Sequence, residues 1–436
     1  MTIGIIELND LGIQVACDDE IVAISPGFAL INNNGELLVG NDALKETRLL
    51  PSWNNNHFWN HLNTNPIPNA RDSIRHNADL AFAHLELLWE ELKGRVDTVI
   101  FVVPSFYNRA SLSLLLGMAE ECGIPTSGVV DLSIAAACNQ KLRDISLYLD
   151  IHLHRITLTR LSNSLNLSRT NCITVCETGM ATLLDRWASA VTNQFIQVKR
   201  YDPLHDAKSE QALYDALPDW IHSFETKRNN LFNLDIDGLK QSVSISVEQL
   251  MPACAPLYPQ IIQAIRKQAS INETSTLFLS HRFNGVPGIK DTLNLLEKIE
   301  LVELPSNAAI AGAFQHADKI MSGGGTITHV VNLPIKAASS ADETVTRNQA
   351  THLLYGDHAT AIGRVFKLSE EISSGLIQDL SNPICSIYPK GVHVYVDIHK
   401  ANKIKINGAP VTKQTTLKPG DTISLGDQIM TLISVT

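Results

Sequence analysis

Residues 147–161 read LYLDIHLHRITLTRL, and this stretch decides the fold that the sequence predicts. Apolar and polar residues alternate from Leu149 to His154, and β-branched residues follow a few positions later. A two-residue period of this kind is typical of a β-strand. We therefore predict a strand that opens a hairpin and carries Asp150, His152 and His154 on one side.

The overall composition is that of a globular protein rather than a disordered one. The chain has 436 residues, of which 44% are hydrophobic and 18% charged. This length is enough for two or three domains with proper cores. The net charge of −10 argues against partners that need a basic surface, such as nucleic acid or an anionic membrane.

The cysteines and the apolar runs of the sequence indicate the cellular compartment. The seven cysteines are scattered, and an odd number without framework spacing predicts reduced thiols. Cys172 and Cys176 lack a second Cys/His pair at finger spacing, so we predict buried thiols and no metal site there. No apolar run approaches the length of a membrane span, and the opening MTIGIIELND lacks a basic region and a cleavage site. We expect a cytoplasmic protein.

Several further segments follow in an order that suggests a known fold. They are GELLVGNDAL (35–44), VDTVIFVVPSFYN (96–108), IPTSGVVDLSIAAAC (124–138), TLFLSHRFNGVPGIKDTLN (276–294) and LPSNAAIAGAFQHA (304–317). Together with the hairpin they resemble the nucleotide-binding domain of the actin-like ATPases, most closely the DnaK-type heat-shock chaperones. The resemblance covers residues 1–321 and implies an α/β actin-like fold of duplicated ribonuclease H-like lobes.

The resemblance also assigns counterparts to the nucleotide-binding residues. In the opening strand pair, the family's Asp falls on Glu7, the glycine of its phosphate turn on Asn9, and a phosphate-contacting threonine on Asp10. A carboxylate at Asp10 would repel phosphate oxygens at contact distance. The family's catalytic glutamate falls on Leu132, with Asp131 in the place of the preceding asparagine.

Glycines are also replaced in the two remaining nucleotide turns. Asp150 keeps the family's Asp, but His152 and His154 stand at glycine positions of the second phosphate turn. In the nucleoside turn, His281 and Arg282 take the places of two glycines. Only a residue without Cβ lets the backbone approach a ligand closely. We therefore interpret the domain as a pseudo-ATPase without a cofactor, which binds or scaffolds partner proteins.

Two alternatives use the same residues differently. In an active ATPase with an atypical cleft, Mg²⁺ would be held by Asp10, Asp131 and Asp150, and the phosphates of ATP by His152, His154, His281 and Arg282. In a structural alternative, the two histidines of the hairpin bond across the cleft to Asp10 or Asp150 and hold the lobes together. A variant of it has zinc bound by His152, His154 and a nearby Asp.

A loop rich in Asn, His and Trp occupies residues 51–68. The sequence predicts a surface loop anchored by aromatic residues. Trp53, Phe58 and Trp59 are an alternative partner contact, because aromatic residues exposed together often form one.

The remaining residues predict a linker over 322–348 and a second domain over 349–436. Short strands separated by turn signals are typical of an all-β sandwich. The segments IGR (362–364), ING (406–408) and LKPGDTISLG (417–426) resemble a forkhead-associated domain.

This second resemblance implies phosphothreonine-peptide contacts by Arg364 and Asn407, since a guanidinium pairs well with phosphate. The family's Ser-x-x-His segment is missing from the corresponding residues 370–382. We therefore interpret the two residues as turn residues of the sandwich, with phosphopeptide reading as the alternative. Two joined domains suit the recruitment of protein partners, and the sequence leaves the oligomeric state open.

Overall fold

The computed structural model describes residues 1–32, 34–71, 74–164, 166–236, 238–270, 273–321, 326–334, 352–355, 358–362, 366–368, 383–390, 393–400, 404–411, 413–426 and 428–433. The protein is a mixed α/β structure with several sheets. It divides into two compact units, Met1–Ile335 and Lys336–Thr436. Among the described residues, no helix combines the length and apolar character that crossing a bilayer requires.

The first unit contains both strands and helices. Its first elements are β1 (Ile3–Glu7), β2 (Ile13–Cys17), β3 (Glu20–Ser25), β4 (Ala29–Ile31), β5 (Leu37–Val39), α1 (Gly40–Leu44), β6 (Asn54–Asn55), β7 (Pro66–Arg71), β8 (Ile74–His76), α2 (Asn77–Glu90), β9 (Thr98–Val103), α3 (Arg109–Glu121), β10 (Thr126–Asp131) and α4 (Leu132–Ala137). They are followed by β11 (Ile145–Ile151), β12 (Ile156–Asn163), β13 (Leu167–Cys176), α5 (Met180–Lys199), α6 (Ala207–His222), β14 (Asn229–Ile236), β15 (Leu239–Ser246), α7 (Val247–Cys254), α8 (Tyr258–Gln268), β16 (Ser275–Leu279), α9 (Ile289–Asn294), β17 (Ile299–Glu303), α10 (Ala308–Gln315), α11 (Ala317–Ile320), β18 (His329–Val330) and β19 (Asn332–Leu333).

Two sheets of this unit have the same strand order. The first runs β3-β2-β1-β9-β10-β18 and the second β13-β12-β11-β16-β17, with β19 beyond β13. In each sheet, three antiparallel strands come first in the chain, and the first of them pairs in parallel with the fourth strand. The second half of the unit (residues 145–303) therefore repeats the sheet topology of the first half (residues 1–138).

Local sequence explains the central elements. All six residues of β9 are buried, as the apolar run VIFVV (99–103) predicts for a central parallel strand. The helix after it, α3, is capped in its first turn by Asn108, which accepts from the N–H of Ser111 at 3.0 Å. The predicted hairpin is confirmed as β11 and β12, but β11 ends at Ile151.

Hydrophobic clusters build each half and join the two. One cluster packs the first sheet against α2 and α3, and another packs the second sheet against α5, α7 and α8. A third combines Ile5 and Ile100 of the first sheet with Tyr148 and Phe278 of the second. The two halves therefore share one hydrophobic core.

Segment 51–68 is more buried than the sequence suggested. Phe58 and Trp59 are 0% and 2% exposed and belong to the core of the first half. The indole N–H of Trp59 donates to Nδ1 of His84 at 3.0 Å. The prediction that these two aromatic residues form an exposed partner contact is therefore wrong, because their rings fill the core.

Buried histidines make stability depend on pH. His84 accepts from Trp59 through Nδ1, so Nε2 carries the proton and donates to Oγ of Ser25 at 2.8 Å. The ring is neutral because burial lowers the pKa of His84 to about 3. Partial burial also lowers the pKa of His281 to about 4.

We therefore expect the free energy of unfolding to fall between pH 7.5 and pH 5.5. A histidine whose pKa is lowered by folding stabilises the protein above its unfolded pKa and loses this contribution as the pH falls. His84 alone contributes a loss of about 1.5 kcal/mol in this window. Glu7, whose pKa is raised, acts in the opposite sense but is a single group. Urea titrations at the two pH values measure the difference, and a constant or rising stability would contradict the expectation.

The linker predicted over 322–348 needs a correction. Residues 329–330 pair with β10 as β18, and residues 332–333 pair with β13 as β19. These residues therefore belong to the first unit, because they complete the edges of its two sheets.

In the described part of the second unit, the elements are strands in two antiparallel sheets. The strands are β20 (His352–Tyr355), β21 (His358–Ala361), β22 (Phe366–Leu368), β23 (Cys385–Lys390), β24 (His393–Ile398), β25 (Ile404–Ile406), β26 (Ala409–Pro410), β27 (Thr415–Leu417), β28 (Thr422–Leu425) and β29 (Gln428–Ile433). One sheet runs β21-β20-β29-β28-β25-β26 and the other β22-β23-β24-β27. Their buried residues form one hydrophobic cluster.

The candidate phosphopeptide contacts are only partly described. Arg364 and the segment 370–382 lie outside the described residues. Asn407 adopts a positive φ of 50° in the turn after β25. Its side chain donates to Asp421 and accepts from the N–H of Thr422, each at 2.8 Å. Asn407 therefore fixes a turn, which Asn tolerates well at positive φ.

Candidate functional site

A buried ionic network lies where β1, β11 and the turn after β16 meet. Nη2 of Arg282 donates to Oε1 of Glu7 at 2.6 Å, and Nη1 lies 3.8 Å from Oδ1 of Asp150. The side chain of Arg282 is 5% exposed and those of the two carboxylates 2% each. The sequence placed these residues near a nucleotide, but the structure pairs them with each other.

Charges in this network shift the pKa of every member. Burial raises the pKa of Glu7, although Arg282 acts against it. Burial also acts to raise the pKa of Asp150, but Arg282, His152 and Ser280 together outweigh it, and the pKa lies below its ordinary value. Burial disfavours the charged guanidinium, but Glu7 and Asp150 raise the pKa of Arg282 above its already high value. The guanidinium therefore stays charged and keeps Asp150 ionised.

The turn between β1 and β2 is bonded to the hairpin of the second half. Nδ2 of Asn9 donates to Oδ2 of Asp150 at 3.1 Å and to the carbonyl of Ile151 at 3.2 Å. Oδ1 of Asp10 accepts from the backbone N–H of Leu153 at 2.9 Å. The amides and carboxylates expected near phosphates are therefore used to join the two halves.

His152 lies between two carboxylates. Its Nδ1 is 3.7 Å from Oδ1 of Asp10, and its Nε2 is 3.9 Å from Oδ2 of Asp150. These distances exceed hydrogen-bond range, so the contact is electrostatic. Burial acts to raise the pKa of Asp10, but His152 and the N–H of Leu153 lower it below its ordinary value. The edge of the His152 ring also contacts Phe106, with centroids 5.1 Å apart.

His154 does not share the environment of His152. Its Nε2 lies 3.0 Å from the carbonyl of Asn56, and its ring stacks on His57 with centroids 3.5 Å apart. Both histidines lie in the turn after β11, which closes through the N–H of His152 and the carbonyl of Arg155 at 2.9 Å. The prediction that they project from one side of a strand is therefore wrong, and so is the shared zinc site that depended on it.

A glycine that the sequence analysis missed lets this turn pack against α5. A Cβ on Gly179 would lie 2.3 Å from the carbonyl oxygen of His152, which real side chains do not tolerate. The N–H groups of Met180 and Ala181 donate to the carbonyls of His152 and Leu153, at 2.9 and 3.0 Å. The start of α5 is thus satisfied by protein groups instead of an anion. A glycine directly before a predicted helix was the available signal.

The carboxylate of Asp131 is bonded to groups outside the ionic network. It caps α4, and its Oδ2 accepts from Nη1 of Arg169 at 2.8 Å. Ser105 donates to its Oδ1 at 2.9 Å. Within the described ranges, no three His, Cys, Asp or Glu side chains are grouped so that they could hold a metal ion. The proposed magnesium site of Asp10, Asp131 and Asp150 is therefore not assembled.

Two cavities of very different size lie between the two halves of the first unit. Beside Arg282 and Glu7, a cavity of only 10 Å³ remains, which has room for about one water molecule. Farther along the cleft, a cavity of 1070 Å³ lies between the two halves. It is lined by Leu11, Pro26, Phe28, Asn41, Leu44, Lys45, Thr47, Arg48, Asn54, Asn56, Leu153, Met180, Ala181, Leu184, Trp187, Gln211, Tyr214, Asp215, Pro218, Asp219, Ile221, His222, His281, Asn284, Leu304, Pro305 and Ser306.

His281 belongs to this larger cavity, although it adjoins Arg282 in the chain. Burial and the neighbouring guanidinium lower its pKa, so its ring is neutral at neutral pH. His281 and Arg282 therefore have different environments. Arg282 is buried in the ionic network, and His281 lines the larger cavity.

Comparison with known protein families and with curated proteins gave no match.

Proposed function

We propose that the first unit is a degenerate actin-like domain of the DnaK type, which does not bind ATP, and that the protein works as a binding or scaffold protein. The observation that carries the proposal is the position of Arg282. Its guanidinium lies 2.6 Å from Glu7, in the region that the family resemblance assigns to the nucleotide.

The repeated sheet topology supports the fold part of this proposal. Both sheets begin with three antiparallel strands and continue with two parallel ones in the same order. Duplicated lobes require two such sheets in succession along the chain. The segments on which the resemblance rests include β9, β11 and β16, the parallel strands of these sheets.

The contacts across the cleft support the loss of ATP binding. Only 10 Å³ is left beside Arg282 and Glu7, which is far too little for a phosphate group. A phosphate placed there would also meet the carboxylate of Glu7, which lines this cavity. Making room for a phosphate would require breaking the ion pair between Arg282 and Glu7. The free energy of phosphate binding would then have to offset the cost of leaving a buried charge unpaired.

We expect the full chain to give no heat of binding with Mg²⁺ and ATP in isothermal titration calorimetry. The thermal unfolding midpoint should also stay unchanged in millimolar ATP, because a ligand that does not bind the folded state cannot stabilise it. A sharp unfolding transition serves as the control for a folded sample. Saturable binding in the micromolar range, or phosphate release that Asp150→Ala abolishes, would overturn the proposal and favour the active ATPase.

We further propose that the second unit is a forkhead-associated-like sandwich used for protein interaction. Two antiparallel sheets around one hydrophobic cluster support this assignment. The side chain of Asn407 is held by Asp421 and Thr422, which favours a turn role over phosphopeptide contact.

A further inference from the structure

The 1070 Å³ cavity lies between the two halves of the first unit, beside the buried ionic network. Its walls come from both halves, with Phe28 and Leu44 on one side and Leu184 and Trp187 on the other. Small-molecule sites in proteins commonly have volumes of about 300–1,000 Å³ and mostly apolar walls. The cavity is therefore large enough to enclose a small organic molecule.

Arg48, the guanidinium in the wall, is already paired. Its Nη2 lies 2.9 Å from Oδ1 of Asp185, and its Nη1 lies 3.4 Å from Oε1 of Glu210. Its Cζ stacks 3.5 Å from the centre of the Tyr214 ring. A guanidinium with two carboxylates and an aromatic face has little attraction left for a phosphate.

The other charges in the wall also compensate one another. Lys45 lies 3.3 Å from Oδ1 of Asp42. Two further carboxylates, Asp215 and Asp219, line the cavity with it. An anionic ligand would therefore meet at least as much negative as positive charge.

A neutral polar group remains available for a ligand. His281 lines the cavity and is only half-buried. Its neutral ring has one nitrogen that accepts a hydrogen bond and one that donates. A ligand hydroxyl can therefore bond to it.

We propose that this cavity is a binding site for an uncharged, largely apolar small molecule that carries a hydroxyl for hydrogen bonding to His281. The site excludes phosphate-bearing ligands because its cations are already compensated. This inference goes beyond the proposed function, since a scaffold protein needs no small-molecule site.

The matched probes 2-naphthol and 2-naphthyl phosphate test it with the full chain in equilibrium dialysis. The naphthol is uncharged at neutral pH and donates a hydrogen bond, and its ester adds only the phosphate group. We expect saturable binding of 2-naphthol, and binding of the ester weaker by about tenfold or more, a difference of about 1.4 kcal/mol. No saturable naphthol binding, or equal binding of the ester, would overturn the proposal.

Substitutions on α5 locate the site. Leu184→Trp fills the cavity and should weaken naphthol binding by about tenfold or more. Ser189→Trp places the same side chain at an exposed position of the same helix and should leave binding unchanged. If circular dichroism shows that Leu184→Trp does not fold, Asn284→Trp fills the cavity from another wall. Undiminished binding by the folded, filled variant would contradict the assignment.

The failures of the two proposals are distinguishable. ATP binding that leaves naphthol binding unchanged would overturn the pseudo-ATPase alone. Displacement of naphthol by ATP would overturn both proposals, because His281 of the nucleoside turn lines the same cavity. Absence of naphthol binding would overturn the ligand site and leave the ATP result unchanged.

Discussion

Replacing Arg282 by methionine is expected to lower the free energy of unfolding by about 3–5 kcal/mol. The substitution keeps most of the apolar stem but removes the charge that faces Glu7 at 2.6 Å and Asp150 at 3.8 Å. Both carboxylates are buried, so neither gains water in exchange. Urea denaturation at pH 7.5, followed by circular dichroism, measures the loss.

The double variant Glu7→Gln/Arg282→Met measures the interaction energy between Glu7 and Arg282. Its loss of stability should be smaller than the sum of the single losses by about 2 kcal/mol, because the second substitution removes the charge that the first leaves unpaired. The penalty of Arg282→Met should also shrink as the pH falls towards 5. An unpaired Glu7 has a raised pKa, and its protonated form is favoured at lower pH. Additive losses without pH dependence would contradict the ion-pair account.

The second large effect is expected from Gly312→Ala, which should destabilise the first unit by about 3 kcal/mol. Gly312 lies on α10 where this helix crosses α4, and an added Cβ would lie 1.9 Å from the carbonyl oxygen of Ala135. The same Cβ would lie 2.9 Å from Sγ of Cys138. Because the first contact is with backbone, the helices must move apart and open the shared core. Thermal and urea unfolding measure the change.

Gly117→Ala is the matched control. Gly117 is an exposed residue of α3, and a Cβ there would have nothing within 4 Å. The same substitution should therefore stabilise the protein by about 0.5–1 kcal/mol through helix propensity. Opposite signs for the two variants are the expected result. A neutral Gly312→Ala would mean that α4 and α10 do not pack as closely as described.

The sequence predicted elements well where the pattern was long and local. The strand β9 was found because five consecutive apolar residues, 99–103, have few other interpretations. The end of β11 was misplaced. Alternation of apolar and polar residues continues through His152 and His154, although the backbone turns there. A two-residue period does not reveal where hydrogen bonding to the neighbouring strand stops.

The candidate site was predicted as a set of residues but not as an arrangement. Asp10, Asp150 and Arg282 were found by their positions relative to a family pattern, and the structure brings them together. Asp131 was placed with them, but it caps α4 and binds Arg169 instead. A family pattern can assign several residues to one site. In the folded protein they need not lie together, because each side chain can bond to other residues.

By itself the sequence determined much of the succession of strands and helices, because this depends on residue type and local spacing. Only the tertiary structure decided which side chains pair. Arg282 reaches Glu7 across 275 positions of the chain, and such a pair leaves no local pattern. The open cavity was equally invisible, since its walls come from many separate segments that meet only when the two halves pack together.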